Sequence, residues 1–459
     1  MALPANILAA VSDPEGGKWV LVIGAGTSVE PPTSLPTGAR CSEEAHRRLR
    51  ADTTLTADCA NPWDLSEVAD AVFAATGAQT ALVQKLPINR FRTATPNSGH
   101  LIAAVLLIER SLAGVVTLNF DEAMTAALSV VGSGDAVAII GGPDDIPNLA
   151  AVNLVYLHRN AHAPHEEWVL RSTFLNQVWQ DRWEPVIVNS ILVAPMVVFA
   201  GLGSPAATLT ESVGLIRQAL PAGTVRVYQV DVAAFGSLPF TGALNVTEAD
   251  YLRIGWCDFM DEVAARVLTE HWNAYQQACL TLAADNGYGA ADLTPVAAAC
   301  RRLGLIGFGY ARGRWMLHAA RYAAVRSIDV RLVADVLLIT AFLAAALGGT
   351  MSLREDGAME IRDGARLVAT IGLATGGGVR TLIATEAAIA THRRHWRWNG
   401  AVPRRVIVTG HLPSLVPTAP RSIVADIDDD NIVGGAMPPS VISAYALRAD
   451  ASLVASLAD

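Results

Sequence analysis

Basic residues are in deficit in this chain: 34 Lys and Arg stand against 43 Asp and Glu, a formal net charge of -9. A chain of that sign has no global pull toward nucleic acid or an anionic bilayer, so neither direct nucleic-acid binding nor membrane association is expected. Cysteine is scarce too, and Cys41, Cys59, Cys257, Cys279 and Cys300 lie far apart with no C-x-x-C pair. That spacing excludes a cysteine-rich zinc ribbon, argues against a disulfide framework and fits a reducing cytoplasm. No basic segment followed by an apolar core precedes the early acidic "SDPEGG", so a secretory signal is not expected. The longest apolar run, "VLLITAFLAAALGG" from Val336 to Gly349, falls short of the roughly 20 residues that cross a bilayer and reads as a buried helix.

What the chain has in quantity is core material. Apolar residues make up 52% of it and charged residues only 17%, which excludes disorder. At 459 residues it exceeds what a single core usually supports, and two domains are expected, over residues 1–245 and 246–459.

The first of these alternates short β-branched runs with helical stretches, the pattern of βαβ units on a parallel sheet. The expected strands are "WVLVI", "GVVTLN", "AVAII", "VNLVYLH", "MVVFAGLG" and "VRVYQVDV". Residues 31–96 lack strand signals and read as a helical insertion. The expected class is therefore α/β, a Rossmann-like parallel sheet with a helical insertion, followed by a C-terminal α+β domain. In that second domain a long helix is expected from an N-cap at Thr247, with Leu252, Trp256, Phe259, Val263 and Val267 on one face. Further helices are expected at 295–303, 311–327 and 330–347. An Asp-Gly hairpin in "TMSLREDGAMEIRDG" and strands "LVATIGL", "RVIVTGH" and "SIVADID" follow.

The first expected strand stops at a glycine pair, in "KWVLVIGAGTSVEPPTSLP". Gly24 and Gly26 after a buried strand let backbone N–H groups approach phosphate oxygens, with a following helix N-terminus adding favourable dipole charge. The same turn also occurs where a helix merely packs close. A dehydrogenase fingerprint is excluded because the third glycine position is Val29, and a Walker A loop because no Lys follows.

Further stretches fall in a set order with this turn: "LP" (35–36), "PNSGHLIAAVL" (96–106), "TLNFDEAM" (117–124), "YLHRN" (156–160) and "FAGLGS" (199–204). Together the first half of the chain resembles the sirtuin NAD-binding domain. The resemblance implies that Gly24, Ala25, Gly26, Thr27 and Ser28 cradle the dinucleotide phosphates. Pro96, Asn97 and His100 match the segment that starts a helix beneath the site, where His100 reads as structural. Asn119 and Asp121 match the strand end that contacts the nicotinamide ribose, His158 the active-site histidine, and Gly201, Gly203 and Ser204, with Asp231 on the next strand, the adenosine-ribose side.

Three departures from the family pattern narrow what the resemblance implies. Arg159 stands where the family has a glycine after its histidine, residues 159–256 hold none of the four zinc-binding cysteines of the protein deacylases, and "LPTGAR" replaces their I-P-D-F-R loop. The combination looks like the NAD-hydrolysing sirtuin-like effectors of prokaryotic antiviral defence. It implies NAD as substrate and no metal, with Asn119 and His158 catalytic. Partners implied are a second copy of the chain, a partner ATPase or a phage-derived trigger. A protein deacylase and a non-catalytic NAD or ADP-ribose sensor are the alternatives. "HAPHEEW" and "DIDDDN" lack the spacing of metal sites, the former reading as a solvated loop, and "GLATGGGVRT" lacks the Lys of a phosphate loop and reads as a flexible turn. "THRRHWRWNG" mixes bases with two tryptophans, a combination suited either to stacking on nucleic acid or to a cationic helix end, and reads as the helix end.

Overall fold

The computed structural model describes residues 3–11, 13, 17–132, 137–171, 183–203, 213–214, 218, 223–286, 292–315, 327–375, 385–389, 403–410 and 440–443. Contacts divide the chain into two units, Met1–Val263 and Ala264–Asp459.

In the first unit every residue of β1 (Trp19–Ile23) is buried, as a strand covered on both faces by helices must be. It lies at the middle of a seven-stranded sheet whose other strands are β2 (Leu112–Thr117), β3 (Ala138–Ile140), β4 (Asn153–Tyr156), β5 (Met196–Ala200), β6 (Arg226–Asp231) and β7 (Tyr251–Arg253). The order is β3-β4-β2-β1-β5-β6-β7 with every pairing parallel. The chain leaves β1 toward β2 on one side and returns to β5 on the other. β1 is therefore where strand order reverses, and ligands of open α/β sheets collect at the carboxyl ends beside such a point.

The expected Rossmann-like class and helical insertion are both present. Among the described residues the helices ahead of β7 are, in chain order, α1 (Ala5–Val11), α2 (Gly38–Ala51), α3 (Leu65–Thr76), α4 (Thr80–Val83), α5 (Ile88–Arg92), α6 (Ser98–Ile108), α7 (Ala123–Val131), α8 (Trp183–Leu192) and α9 (Pro239–Ala243). In the insertion, α3 starts where the Asp64 carboxylate accepts the Ser66 and Glu67 N–H groups, and ends at left-handed Gly77. Leu49, Val68, Val72, Leu82, Val83 and Phe91 form the insertion's own core.

The long helix α10 (Trp256–Asn286) begins later than its apolar spacing suggests. Leu252 lies in β7, which pairs with β6, so the sheet runs past residue 245. Thr247 instead donates its hydroxyl to the Asp250 carboxylate at 2.6 Å in a short 3-10 turn. The carboxylate of Glu30 caps α10, taking the Trp256 N–H at 2.6 Å and the Cys257 N–H at 3.2 Å.

The second unit contains α11 (Thr294–Arg302), α12 (Gly304–Trp315) and α13 (Ser327–Leu347). Its mixed sheet, β12-β11-β10-β9-β8, comprises β8 (Thr350–Leu353), β9 (Met359–Asp363), β10 (Arg366–Ala374), β11 (Arg404–Thr409) and β12 (Ser440–Ser443). The expected Asp-Gly hairpin joins β8 to β9 through Gly357, whose φ is +84°. α12 begins at Gly304, before the start of the helix expected at 311–327; residues 316–326 lie outside the described residues, as does "SIVADID". α13 is longer than its apolar run suggested. By length and composition its stretch Val330–Leu347 is long and apolar enough to cross a membrane, yet Val333, Val336, Leu337 and Leu343 are buried in the unit's core with Met359, Ile371 and Val406.

Candidate functional site

β1 ends in a single 3-10 turn, Ala25–Ser28, and the next helix, α2, starts only at Gly38. The helix dipole expected directly behind the glycine pair is therefore absent at this turn. What requires the glycines is backbone packing against the end of β5. A Cβ on Gly26 would stand 2.6 Å from the Gly201 Cα, and one on Gly24 would stand 2.7 Å from the Gly201 carbonyl oxygen. The Gly26 N–H donates to that same oxygen at 2.9 Å, and Gly201 itself has a φ of +65°. The Thr27 hydroxyl turns inward and donates to the Gly24 carbonyl at 2.8 Å. The Gly24 and Gly26 N–H groups are thus both used in the sheet and turn. The Ala25 N–H has no acceptor among the described residues.

Asn119 and Asp121, just past β2, close this turn from the neighbouring strand. The Asn119 amide donates to the Gly24 carbonyl at 3.1 Å and to the Ser28 hydroxyl at 3.3 Å. Ser28 in turn donates to Asp121 Oδ2 at 2.9 Å, while Asp121 Oδ1 takes the Ala123 N–H at 3.0 Å. All three side chains are buried. Burial raises the Asp121 carboxyl to about 6, against the opposing effect of its hydrogen bonds. Both amide hydrogens of Asn119 being spent, its Oδ1 is the atom left to meet a ligand, as an acceptor only.

His158 lies past the end of β4, the next strand over. Leu157 N–H bonds the Thr117 carbonyl, continuing the β2–β4 register that sets Asn119 and His158 on adjacent strand ends. Burial drives the imidazole down to about 4, the Leu118 backbone opposes the shift and the Arg159 charge adds to it. The ring is therefore neutral at physiological pH. Phe120 has its centroid 6.2 Å from His158 and stacks on Trp168 at 4.4 Å.

Arg159 keeps the backbone shape that a glycine permits. Its φ is +74°, and its side chain is buried beside Glu184, 3.5 Å away, and Glu167, 3.7 Å away, with its guanidinium 5.3 Å from the centre of the Trp183 ring.

The remaining sequence-named residues spread along the same sheet edge. Gly203 is exposed, and among the described residues Leu238 is the one near the position of a Cβ, at 3.9 Å, so packing against them does not require a glycine there. Asp231 ends β6 and accepts the Ala233 N–H at 2.9 Å. Ser204 lies outside the described residues, as do "THRRHWRWNG" and "DIDDDN".

Asn97, which braces the turn, and Glu30, which follows it, were not assigned these roles from sequence. Asn97 accepts the His100 N–H at 3.1 Å in a capping box at α6 and donates to the Thr27 carbonyl at 2.9 Å. The His100 ring completes that box and is pushed down to about 3 by burial, which suits a structural side chain. The spacing of Asn97 and His100 carries a cap signal, though not its second use. Glu30, which caps α10, has no local signal, because its partner is 226 residues away. Among the described residues no group of three or more His, Cys, Asp or Glu is placed to hold a metal ion.

No protein-family model and no curated protein matches the chain. Similar solved structures include a Sir2 homologue in complex with NAD, 17% identical, with 58% of this chain and 94% of that one covered and a TM-score of 0.34. They include also Sir2 with the inhibitor EX-527, 2'-O-acetyl-ADP-ribose and a deacetylated p53 peptide (14%, 57% and 98%, 0.34), and Sir2 bound to an acetylated peptide (15%, 57% and 97%, 0.32). These neighbours are all Sir2 proteins. A likeness at that level assigns this chain neither an activity nor a ligand.

Proposed function

We propose that this chain is an NAD+ glycohydrolase that cleaves the nicotinamide–ribose bond, acting in the cytoplasm as a defence effector that depletes NAD+. The observation that carries the reading is the cluster at the reversal point of the sheet. Asn119, Ser28 and Asp121 brace the Gly24–Ser28 turn while the Ala25 N–H and Asn119 Oδ1 keep hydrogen-bonding capacity. The Ala25 N–H suits a phosphate oxygen, Asn119 Oδ1 a ribose hydroxyl or water, and the neutral His158 imidazole a proton.

The chemistry asks little more of the protein. As the C1'–N bond breaks, its electron pair leaves with nicotinamide and positive charge develops on the sugar, as in glycoside cleavage. Water bonds to C1', and its proton passes to His158 or solvent. The products are nicotinamide and ADP-ribose.

A non-catalytic NAD or ADP-ribose sensor is favoured by a different feature, the spending of both Asn119 N–H donors on the turn. Product analysis of the purified full chain with NAD+ separates the readings. Free nicotinamide and ADP-ribose formed without an acyl acceptor support hydrolysis. Acyl-ADP-ribose formed only with an acylated peptide makes the chain a deacylase, and tight binding without turnover makes it a sensor. An unrestrained NAD hydrolase is lethal to its host, so the reading includes control by self-assembly, a partner ATPase or a phage-derived trigger. Full-rate hydrolysis by the isolated monomer would defeat that part.

A further inference from the structure

Arg159 is a buried cation in a conformation that disfavours any side chain. Something must hold it there. Glu184, on α8, is fully buried, and the Arg159 guanidinium at 3.5 Å is its charged partner among the described residues. Glu167, half exposed, approaches the same guanidinium from the 3-10 turn His165–Glu167, and the Trp183 ring flanks it. Two acids and an aromatic ring thus clamp one side chain, and the residue before it is His158.

We propose that Arg159, clamped by Glu184, is the positioning residue for His158: it fixes the left-handed turn that presents the imidazole and sets a permanent positive charge beside it, reserving the ring for accepting a proton. This rests on the assignment of His158 as the proton acceptor of the site. Among the described residues, the groups that act on the imidazole include the Leu118 backbone and Phe120, just past the end of β2, and Arg159 from its own turn. Glu167 and Glu184 face the guanidinium. The low proton affinity of the ring agrees, since Arg159 adds to the effect of burial and the Leu118 hydrogen bond opposes it.

The test is an NMR titration of His158 in the full chain, which needs no turnover, alongside the pH profile of NAD+ hydrolysis. In the wild type the ring titrates at about 4. In Arg159→Gly, which permits the same left-handed backbone and loses the charge, the midpoint rises above the wild-type value while burial still holds it below the ordinary 6.5, and the acid limb of kcat/KM rises with it. Arg159→Lys preserves the charge and stays near the wild type in both. Should Arg159→Gly fail to fold because Glu184 is left unpaired, the double variant Arg159→Gly with Glu184→Gln removes both charges, keeps a residue that suits the left-handed backbone, and reads an upward shift. An unchanged His158 midpoint in a folded charge-removing variant overturns the proposal. A shifted midpoint in a protein that never hydrolyses NAD+ upholds the positioning role and removes only the glycohydrolase reading.

Discussion

Asn119 illustrates how one side chain carries two arguments that a single substitution confuses. Asn119→Ala deletes two buried hydrogen bonds to the turn, and bonds of that kind contribute about 0.5–1.5 kcal/mol each. A loss of activity in that variant alone is therefore ambiguous. Ser28→Ala is the control, because it loosens the same turn without touching Asn119 Oδ1. If Oδ1 meets the ribose or water in the transition state, Asn119→Ala lowers kcat by about 100-fold or more beyond Ser28→Ala. Equal losses in the two would reduce Asn119 to a brace. His158→Ala is expected to lower kcat by roughly 100- to 10,000-fold while NAD+ affinity changes little, the range usual for a general acid or base. Turnover and affinity measured together on folded variants decide both, and wild-type rates in Asn119→Ala and His158→Ala would remove them from the site.

Between elements, the decisive contact is the one between the β1 and β5 turns. A side chain at Gly26 collides with Gly201 backbone, which cannot swing aside as a flexible side chain would. Gly26→Val is therefore expected to destabilise the first unit by about 1–3 kcal/mol, the range typical of overpacking, and to lose NAD+ binding as a consequence. Gly203→Ala, whose Cβ meets nothing closer than Leu238 at 3.9 Å among the described residues, is expected to leave the melting temperature unchanged. A Gly26→Val protein that melts like the wild type and fails only to bind NAD+ would restore direct phosphate approach as the reason for the glycine. From sequence, the glycine pair was legible and its cause was not, because Gly201 enters through the register of β1 with β5. The strands themselves were legible, since buried parallel strands are continuous apolar runs with sharp ends. β7 escaped because three residues leave no periodicity, and the true start of α10 escaped because its cap is the distant Glu30.

Over the whole molecule, acid should weaken the fold, and the sign follows from which side chains are buried. Burial holds His100 at about 3, His158 at about 4 and His271 well below its ordinary value. Each takes up a proton more readily when unfolded, so each contributes stability above about pH 6.5 that is lost as pH falls toward the folded value. Asp121 acts in the opposite direction. Its folded value of about 6 exceeds the ordinary 3.8, so the folded chain binds the proton more tightly and gains stability as pH falls through that window. In the first unit two histidines thus oppose one aspartate near pH 5, a net of about one proton and about 1.4 kcal/mol per pH unit in favour of unfolding. Asp121→Asn removes the opposing contribution. Its urea midpoint is expected to fall more steeply between pH 6 and 5 than that of the wild type, by about a further 1.4 kcal/mol per unit. His100→Gln is expected to fall less steeply. Parallel pH slopes in the wild type and Asp121→Asn would mean that Asp121 is charged in the folded protein at pH 5, and the cluster beneath the glycine turn would then hold a carboxylate where a carboxylic acid is expected.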